Sequence, residues 1–209
     1  ERAAVMFTDP PYRMGTQGGD ILQQKRLKSH ERIQGIVDFD PQPFLEILPT
    51  LFDKQLCAFV FCNKDLLPDY LLWARDNKIN FNVLVWKKSV VVPFGDSHRP
   101  DIEYLVLFRK NAKWNNGLAG VNYSRLLEYD SEQGDHPTIK PAALVQNQLL
   151  IVSDVGDLIV DTYCGSGTAI IAAHNLNRRC FAMEISPAYC AVILERFHTA
   201  FPDIEIRQL

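Results

Sequence analysis

The feature that most constrains the fold of this chain is the alternation of short apolar runs with amphipathic stretches along its whole length. Short apolar runs bounded by turn residues predict strands, and helical spacing of the apolar residues between them predicts helices packed on a sheet. This order predicts an α/β fold with seven strands and five helices. The predicted strands are Ala3–Thr8, Gln55–Cys62, Phe81–Trp86, Ile102–Phe108, Leu158–Asp161, Cys180–Glu184 and Ile204–Arg207. The predicted helices are Phe39–Phe52, Leu66–Asp76, Pro141–Val152, Ala169–Leu176 and Pro187–Phe201.

Length and composition narrow the class of protein. With 209 residues, 47% apolar and 22% charged, the chain has the make-up of an ordinary globular domain. Its net charge of −3 excludes a uniformly basic nucleic-acid coat protein, and no apolar run is long enough for a membrane-spanning helix. The first residues do not show a signal-peptide pattern. We therefore expect one domain over residues 1–209, with no linker and no membrane partner.

The cysteines favour a reducing compartment. Cys57, Cys62, Cys164, Cys180 and Cys190 are odd in number and contain no C-x-x-C pair. A secreted disulfide framework favours an even count, and a structural zinc site needs close pairs of cysteine or histidine. We therefore expect buried free thiols in a cytoplasmic protein that holds no metal.

Two polar stretches break the regular pattern and carry most of the positive charge. Residues 13–36 hold five Lys or Arg against two acidic residues, and residues 109–125 hold four with no acidic residue. The near-neutral total therefore conceals two basic segments on an acidic body. A solvated surface accounts for such charge as readily as phosphate contact does. We expect residues 13–36 and 109–135 to form DNA-contacting loops, with 109–135 selecting the target sequence.

A glycine-rich turn follows the predicted strand Leu158–Asp161. The sequence Asp161–Thr168 reads D-T-Y-C-G-S-G-T, and Glu184 follows 19 residues after Gly165. A strand, a glycine-rich turn and a helix bring backbone close to a nucleotide-like ligand, and an acidic residue at this distance accepts hydrogen bonds from ribose hydroxyls. NAD, S-adenosylmethionine and a plain tight turn all fit this pattern. A dinucleotide site prefers a third glycine where Ile170 stands, which favours a cofactor without a pyrophosphate.

A second motif, D-P-P-Y at Asp9–Tyr12, follows the first predicted strand. The two prolines stiffen the turn and leave the carbonyl of Pro10 free to accept a hydrogen bond. The carboxylate of Asp9 is a second acceptor, and Tyr12 adds a flat aromatic face. Two acceptors beside a stacking ring suit the recognition of a planar amino group.

With both motifs in place, the chain resembles the β group of S-adenosylmethionine-dependent DNA amino-methyltransferases, including those of phages and mobile elements. In that family D-P-P-Y precedes the glycine-rich motif, as it does here. A third family element, H-P-T-x-K-P, stands at 136–141, and a weaker one stands at 98–104. The resemblance covers residues 4–207. It implies a Rossmann-like methyltransferase fold with a seven-stranded mixed sheet, helices on both faces and a circularly permuted motif order.

The resemblance also implies a role for each matched residue. Asp9 and the carbonyl of Pro10 would hold the target amino group, Pro11 would stiffen the turn, and Tyr12 would stack on the base. The residues implied to bind S-adenosylmethionine are Thr138, Lys140, Asp161, Tyr163, Cys164, Gly165, Gly167, Thr168 and Glu184. Glu184 would hold the ribose, and Thr138 and Lys140 would approach the methionine carboxylate. The sequence departs from the usual Phe or Gly at Tyr163 and Cys164.

The activity that the resemblance implies is methylation of the N6 amino group of adenine in double-stranded DNA, by base flipping and direct transfer. Its nearest variant is N4-cytosine methylation, and Asp at position 9 leans toward adenine. Three other functions stay open: methylation of RNA or of a protein glutamine, an inactive module that binds nucleic acid, and an NAD-dependent oxidoreductase. The last leaves Asp9–Tyr12 without a role. The sequence is also compatible with a homodimer.

If residues 13–36 face DNA, replacing Lys25, Arg26 and Lys28 together by alanine removes three phosphate contacts. We expect the plot of log binding constant against log salt concentration to become flatter, because fewer counterions are released on binding. Fluorescence anisotropy with a labelled duplex at several salt concentrations measures this slope. An unchanged slope would show that this segment does not face DNA.

Overall fold

The computed structural model of the chain describes residues 1–12, 39–88, 98, 101–130 and 139–208. Its strands are β1 Val5–Thr8, β2 Leu56–Cys62, β3 Asn80–Lys87, β4 Ile102–Lys110, β5 Leu126–Glu128, β6 Leu158–Asp161 and β7 Arg179–Ala182. Its helices are α1 Pro41–Ile47, α2 Leu67–Asp76, α3 Ala142–Val152, α4 Thr168–Asn175 and α5 Pro187–Ala200, and a short 3-10 helix spans Leu48–Leu51.

The described strands form one mixed sheet in the order β5-β3-β4-β2-β1-β6-β7. β1 is parallel to its neighbours β2 and β6, and β7 is parallel to β6. β4 is antiparallel to both β2 and β3. Thr8, Cys62 and Asp161 therefore end their strands at the same side of the sheet, which we call the carboxyl edge, and the opposite side is the amino edge. The mixed seven-stranded sheet predicted from the sequence is confirmed.

The side chains of β2 alternate between two hydrophobic cores, one on each face of the sheet. Phe59 and Phe61 pack on the face covered by α3 and α4, whereas Ala58 and Val60 pack on the face covered by α1 and α2. Successive side chains of a strand point to opposite faces, and a strand buried on both faces is apolar throughout. The helices predicted on both faces of the sheet are therefore confirmed.

Local signals set the helix boundaries. Asp40 caps α1 by accepting a hydrogen bond from the backbone of Gln42 at 3.0 Å, and Ser186 caps α5. Pro49 lies within the 3-10 helix that follows α1, so the single helix predicted over Phe39–Phe52 divides in two. No helix among the described residues is both long and apolar enough to cross a membrane.

One predicted strand is wrong, and one strand was missed. The order of elements predicts a last strand over Ile204–Arg207, but these residues pair with no strand of the described chain, and Ile204 and Ile206 are exposed. Alternation makes a strand only where a neighbouring edge supplies hydrogen bonds. Leu126–Glu128 is too short to show alternation, yet it pairs in parallel with β3 and buries Leu127 completely.

Replacing Phe59 by alanine tests the central core. Phe59 is fully buried, and its ring lies 5.4 Å from that of Phe7. We expect the free energy of unfolding to fall by about 3–5 kcal/mol, because the lost contacts leave a cavity. Urea denaturation measures the change. Phe81→Ala in β3 is the control, since that ring is 40% exposed, and equal losses in the two variants would contradict this account.

Candidate active site

Two of the predicted motifs meet at the carboxyl edge, although 153 residues separate Thr8 from Asp161. β1 and β6 are parallel neighbours, with Met6 opposite Val160. The hydroxyl of Thr8 donates a 2.7 Å hydrogen bond to Asp161 Oδ1. From β1 the chain continues to β2 on one side, while β6 lies on the other, so the strand order reverses here. Open α/β sheets bind ligands at such a switch point, outside the carboxyl ends of the strands.

The glycine-rich turn after β6 requires its glycines. Gly165 and Gly167 have φ values of 53° and 81°, in the left-handed region that other residues rarely adopt. A Cβ atom on Gly167 would also lie 3.1 Å from the side chain of Ile193. The two glycines therefore allow the tight turn that leads into α4, and Gly167 also allows its close packing against α5.

The carboxylate of Glu184 is fixed beside this turn. Its Oε2 accepts a hydrogen bond from the backbone N–H of Gly165 at 2.8 Å, and its Oε1 accepts one from Ser186 at 2.9 Å. Each carboxylate oxygen has a further lone pair, so both retain acceptor capacity for hydroxyl groups. The adjacent side chain of Ile185 is 87% exposed, which leaves apolar surface next to a fixed pair of acceptors.

Asp161 and Cys164 are buried within the turn. Burial raises the pKa of Asp161 to about 7, although hydrogen bonds from Thr8 and from the backbone of Tyr163 oppose the shift. Burial also raises the pKa of the Cys164 thiol above its ordinary value. Because the thiolate is the nucleophilic form, Cys164 is chemically inert here and acts as a small packing residue.

The two carboxylate oxygens of Asp9 have different surroundings. Oδ2 forms an ion pair with the ammonium of Lys140, whereas Oδ1 is buried and accepts no hydrogen bond from the described residues. Burial raises the pKa of Asp9; Lys140 opposes the shift, and Glu103 adds to it. A buried acceptor left unpaired costs about 1–3 kcal/mol. Oδ1 is therefore an acceptor that a ligand N–H would satisfy.

Glu103 completes the site, although none of the predicted site residues includes it. Its Oε2 accepts a hydrogen bond from the hydroxyl of Tyr12 at 3.1 Å and lies 3.2 Å from the ammonium of Lys140. Its Oε1 lies 2.5 Å from the ammonium of Lys88. A charged residue inside the apolar strand Ile102–Phe108 is the signal that would have identified it, because a buried carboxylate requires partners.

The ammonium of Lys140 contacts both Asp9 and Glu103. That Lys140 approaches the methionine carboxylate of a cofactor stays a prediction. Burial favours the neutral amine, but these two carboxylates outweigh it and raise the pKa of Lys140 to about 12. The backbone carbonyl of Lys140 accepts a 3.2 Å hydrogen bond from Thr168 at the start of α4. Thr138 lies outside the described residues.

The aromatic side chains of the two motifs line the site. The ring of Tyr12 is half-buried and lies 5.8 Å from the Lys140 ammonium, and its hydroxyl is held by Glu103. The ring of Tyr163 meets those of Phe39 and Phe44 edge to face, each at 5.9 Å. Pro10 is buried and Pro11 is half-buried between β1 and Tyr12. All four D-P-P-Y residues thus lie together at the end of β1.

The basic segment 109–125 begins at the amino edge, and its last residue, Arg125, lies beside Val85 in β3. β4 runs antiparallel to β2, so Glu103 is at the carboxyl edge and Arg109 pairs with Cys57 at the start of β2. The six residues from Glu103 to Arg109 span about 20 Å of strand. A DNA contact by Arg109 would therefore lie one strand length away from Asp9. Residues 131–135 and the other predicted loop, 13–36, lie outside the described residues.

Comparison with known proteins places these motifs in a family. The family model for DNA methylase, N6/N4 type, matches residues 3–195. The type II methyltransferase M.HpaI of Haemophilus parainfluenzae is 32% identical over 222 aligned positions, which cover 94% of this chain and 68% of that protein. The type II methyltransferase M2.MboI of Moraxella bovis is 34% identical over 137 positions, covering 64% of this chain and 42% of that protein.

Solved structures share the fold. The crystal structure of the M1.HpyAVI–SAM complex superposes with a TM-score of 0.68 at 23% identity, covering 93% of this chain and 89% of that one. The PvuII DNA methyltransferase, described as cytosine-N4-specific, superposes with a TM-score of 0.69 at 17% identity, covering 94% and 80%. Both likenesses concern the Rossmann-like sheet and its helices.

Asp161→Asn tests the burial of this carboxyl. A carboxyl whose pKa is higher in the folded protein binds more protons when folded, so the wild-type protein loses stability as pH rises from about 4 to about 7. The amide avoids that cost while keeping an acceptor for Thr8. We expect the variant to have the higher Tm at pH 8 and the difference to shrink toward pH 4. Thermal denaturation across this range measures it, and a pH-independent difference would contradict the raised pKa.

Proposed function

The chain belongs to the N6/N4 DNA methylase family, and we propose that it transfers a methyl group from S-adenosylmethionine to the exocyclic N6 amino group of adenine in double-stranded DNA. The observation that carries this proposal is Asp9 Oδ1, which is buried and accepts no hydrogen bond from the described residues, next to the strand that leads into the glycine-rich turn. An amino group of a base supplies the N–H donor that this atom lacks.

The residues of the turn fit the cofactor. Gly165 and Gly167 allow the left-handed turn that leads into α4, and the two fixed oxygens of Glu184 would accept hydrogen bonds from the ribose hydroxyls. The exposed side chain of Ile185 would offer an apolar surface to the adenine of the cofactor. S-adenosylmethionine, when bound, supplies a methyl group activated by its positive sulfur.

The D-P-P-Y residues prepare the target nitrogen. The lone pair of an exocyclic amino group is delocalised into the ring, which makes it a poor nucleophile. Asp9 Oδ1 accepts one N–H and the carbonyl of Pro10 accepts the other, and these bonds favour a pyramidal nitrogen whose lone pair faces the cofactor side. Asp9 also receives the proton that the nitrogen loses on methylation, because Lys140 stays protonated. Positioning and electrostatics supply the rate, without a covalent intermediate.

DNA reaches this site by base flipping. The Asp9 carboxylate is recessed at the end of β1, and a stacked base cannot reach it, so extrusion of the nucleotide is required at a cost of a few kcal/mol. Stacking of the base on Tyr12 offsets about 1–3 kcal/mol of that cost. The basic segment 13–36 starts directly after Tyr12, which suits contact with phosphates around the flipped nucleotide. Asp at position 9 supports adenine over cytosine, by resemblance to the family.

A radiolabelled methyl-transfer assay on unmethylated duplex DNA, followed by nucleoside chromatography, tests the proposal. We expect label in N6-methyladenine, and a loss of about 100-fold or more in Asp9→Ala, because an acceptor of the reacting amino group is gone. Asp76→Ala is the matched control, since this exposed carboxylate of α2 lies at the far end of a helix and pairs only with Arg75.

The outcomes separate the alternatives. Label in N4-methylcytosine would overturn the choice of adenine and keep the transferase. Cofactor binding without transfer to DNA, measured by calorimetry, would overturn the enzyme in favour of an inactive binding module. Label in protein or RNA alone would overturn DNA as the substrate.

A further inference from the structure

The carboxylate of Glu103 is the centre of the charged cluster at the carboxyl edge. It is 9% exposed and contacts three side chains: the ammonium of Lys88 at 2.5 Å, the ammonium of Lys140 at 3.2 Å and the hydroxyl of Tyr12 at 3.1 Å. No other carboxylate of the described residues has this many partners. Glu103 reaches them from β4, the antiparallel strand that separates β2 from β3.

The charges in this cluster balance. Asp9 and Glu103 carry two negative charges, and Lys88 and Lys140 carry two positive ones. Burial opposes ionisation of Glu103, but the two lysines outweigh it and lower its pKa below the ordinary value. Burying a single charge without a partner would cost several kcal/mol, whereas a balanced set avoids most of that cost. The four residues therefore depend on one another for their ionised states.

Asp9 cannot by itself fix Lys140 and also serve the substrate. The ammonium of Lys140 lies between Asp9 Oδ2 and Glu103 Oε2. Without Glu103, its donors would have Asp9 as the only buried carboxylate within reach, and Oδ1 would become an alternative partner. With Glu103 present, the ammonium of Lys140 is held between Asp9 Oδ2 and Glu103 Oε2, and Oδ1 accepts no hydrogen bond from the described residues.

We propose that Glu103 is a positioning residue for methyl transfer. It holds the ammonium of Lys140 and the hydroxyl of Tyr12 in place, so that Asp9 Oδ1 stays available to the target amino group and the Tyr12 ring stays oriented for stacking. This inference rests on the proposed function, because it assigns Asp9 and Tyr12 to the target base. Glu103 itself touches neither the base nor the cofactor, and it acts through these two neighbours.

Glu103→Gln tests the inference, because the amide keeps the shape and one acceptor but removes the charge. We expect kcat to fall about 100-fold, as displaced catalytic groups commonly cause, with KM for S-adenosylmethionine nearly unchanged. We also expect the acidic limb of the pH–rate profile to move to lower pH, because the charge of Glu103 raises the pKa of Asp9. Glu103→Asp restores the charge, so it should recover activity and the wild-type limb.

Glu128→Gln is the matched control. Glu128 lies on β5 at the same edge of the sheet and pairs with Lys87 at 3.3 Å, but both side chains are exposed. We expect wild-type kcat and pH profile in this variant. If Glu103→Gln does not fold, Tyr12→Phe tests the same link, because it removes only the hydroxyl that Glu103 holds; we expect kcat to fall with KM for S-adenosylmethionine nearly unchanged, and wild-type kcat in Tyr12→Phe would contradict the positioning role.

The outcomes distinguish the positioning role of Glu103 from the proposed function. A lower Tm in Glu103→Gln with wild-type kcat and an unmoved pH profile would show a purely structural role and overturn the positioning role. A higher KM for the cofactor with wild-type kcat would do the same. If the wild-type protein and Glu128→Gln are both inactive on DNA, the proposed function fails and the inference fails with it.

Discussion

The parallel pairing of β1 with β6 is the contact on which the whole site depends. The D-P-P-Y motif and the glycine-rich turn each follow a strand, and only adjacent strands with the same direction bring the two motifs to one edge. Register matters as much as adjacency, because successive side chains point to opposite faces of a sheet. A slip of one residue would turn Thr8 away from Asp161 and remove the buried 2.7 Å hydrogen bond between the motifs.

A second link joins the same two motifs through Lys140. Its carbonyl accepts a hydrogen bond from Thr168 at the start of α4, and its ammonium pairs with Asp9. A shift of α4 relative to β1 therefore has to move Lys140, and with it the acceptor offered to a substrate. Glu103 and Lys88 extend this link to β4 and the end of β3, so that the position of Asp9 is set from both sides of β1.

Most of the fold and the two main motifs follow from the sequence, because they are local patterns. Six of the seven predicted strands and all five predicted helical regions have counterparts, and Asp9–Tyr12 and Asp161–Glu184 lie at the predicted edge. The misses are features that depend on partners distant in sequence. β5 exists because β3 offers it an edge, and Ile204–Arg207 has alternation but no strand beside it. The contacts of Glu103 with Lys140 and Tyr12 depend on a strand that sequence spacing does not relate to either motif.

The two basic segments also show what a sequence pattern does not predict. The segments 13–36 and 109–125 carry net charges of +3 and +4, so a count of residues hardly distinguishes them, but the fold places Arg109 at the opposite edge of the sheet from Asp9. At the amino edge, Arg109 lies over the ring of Trp114 at 4.5 Å and Lys113 pairs with Asp154. These cations have partners within the chain, which lowers the gain from a phosphate contact. The segment that starts at Tyr12 begins next to the acceptors of the site, and its position relative to Asp9, more than its charge, is the reason to connect it with DNA.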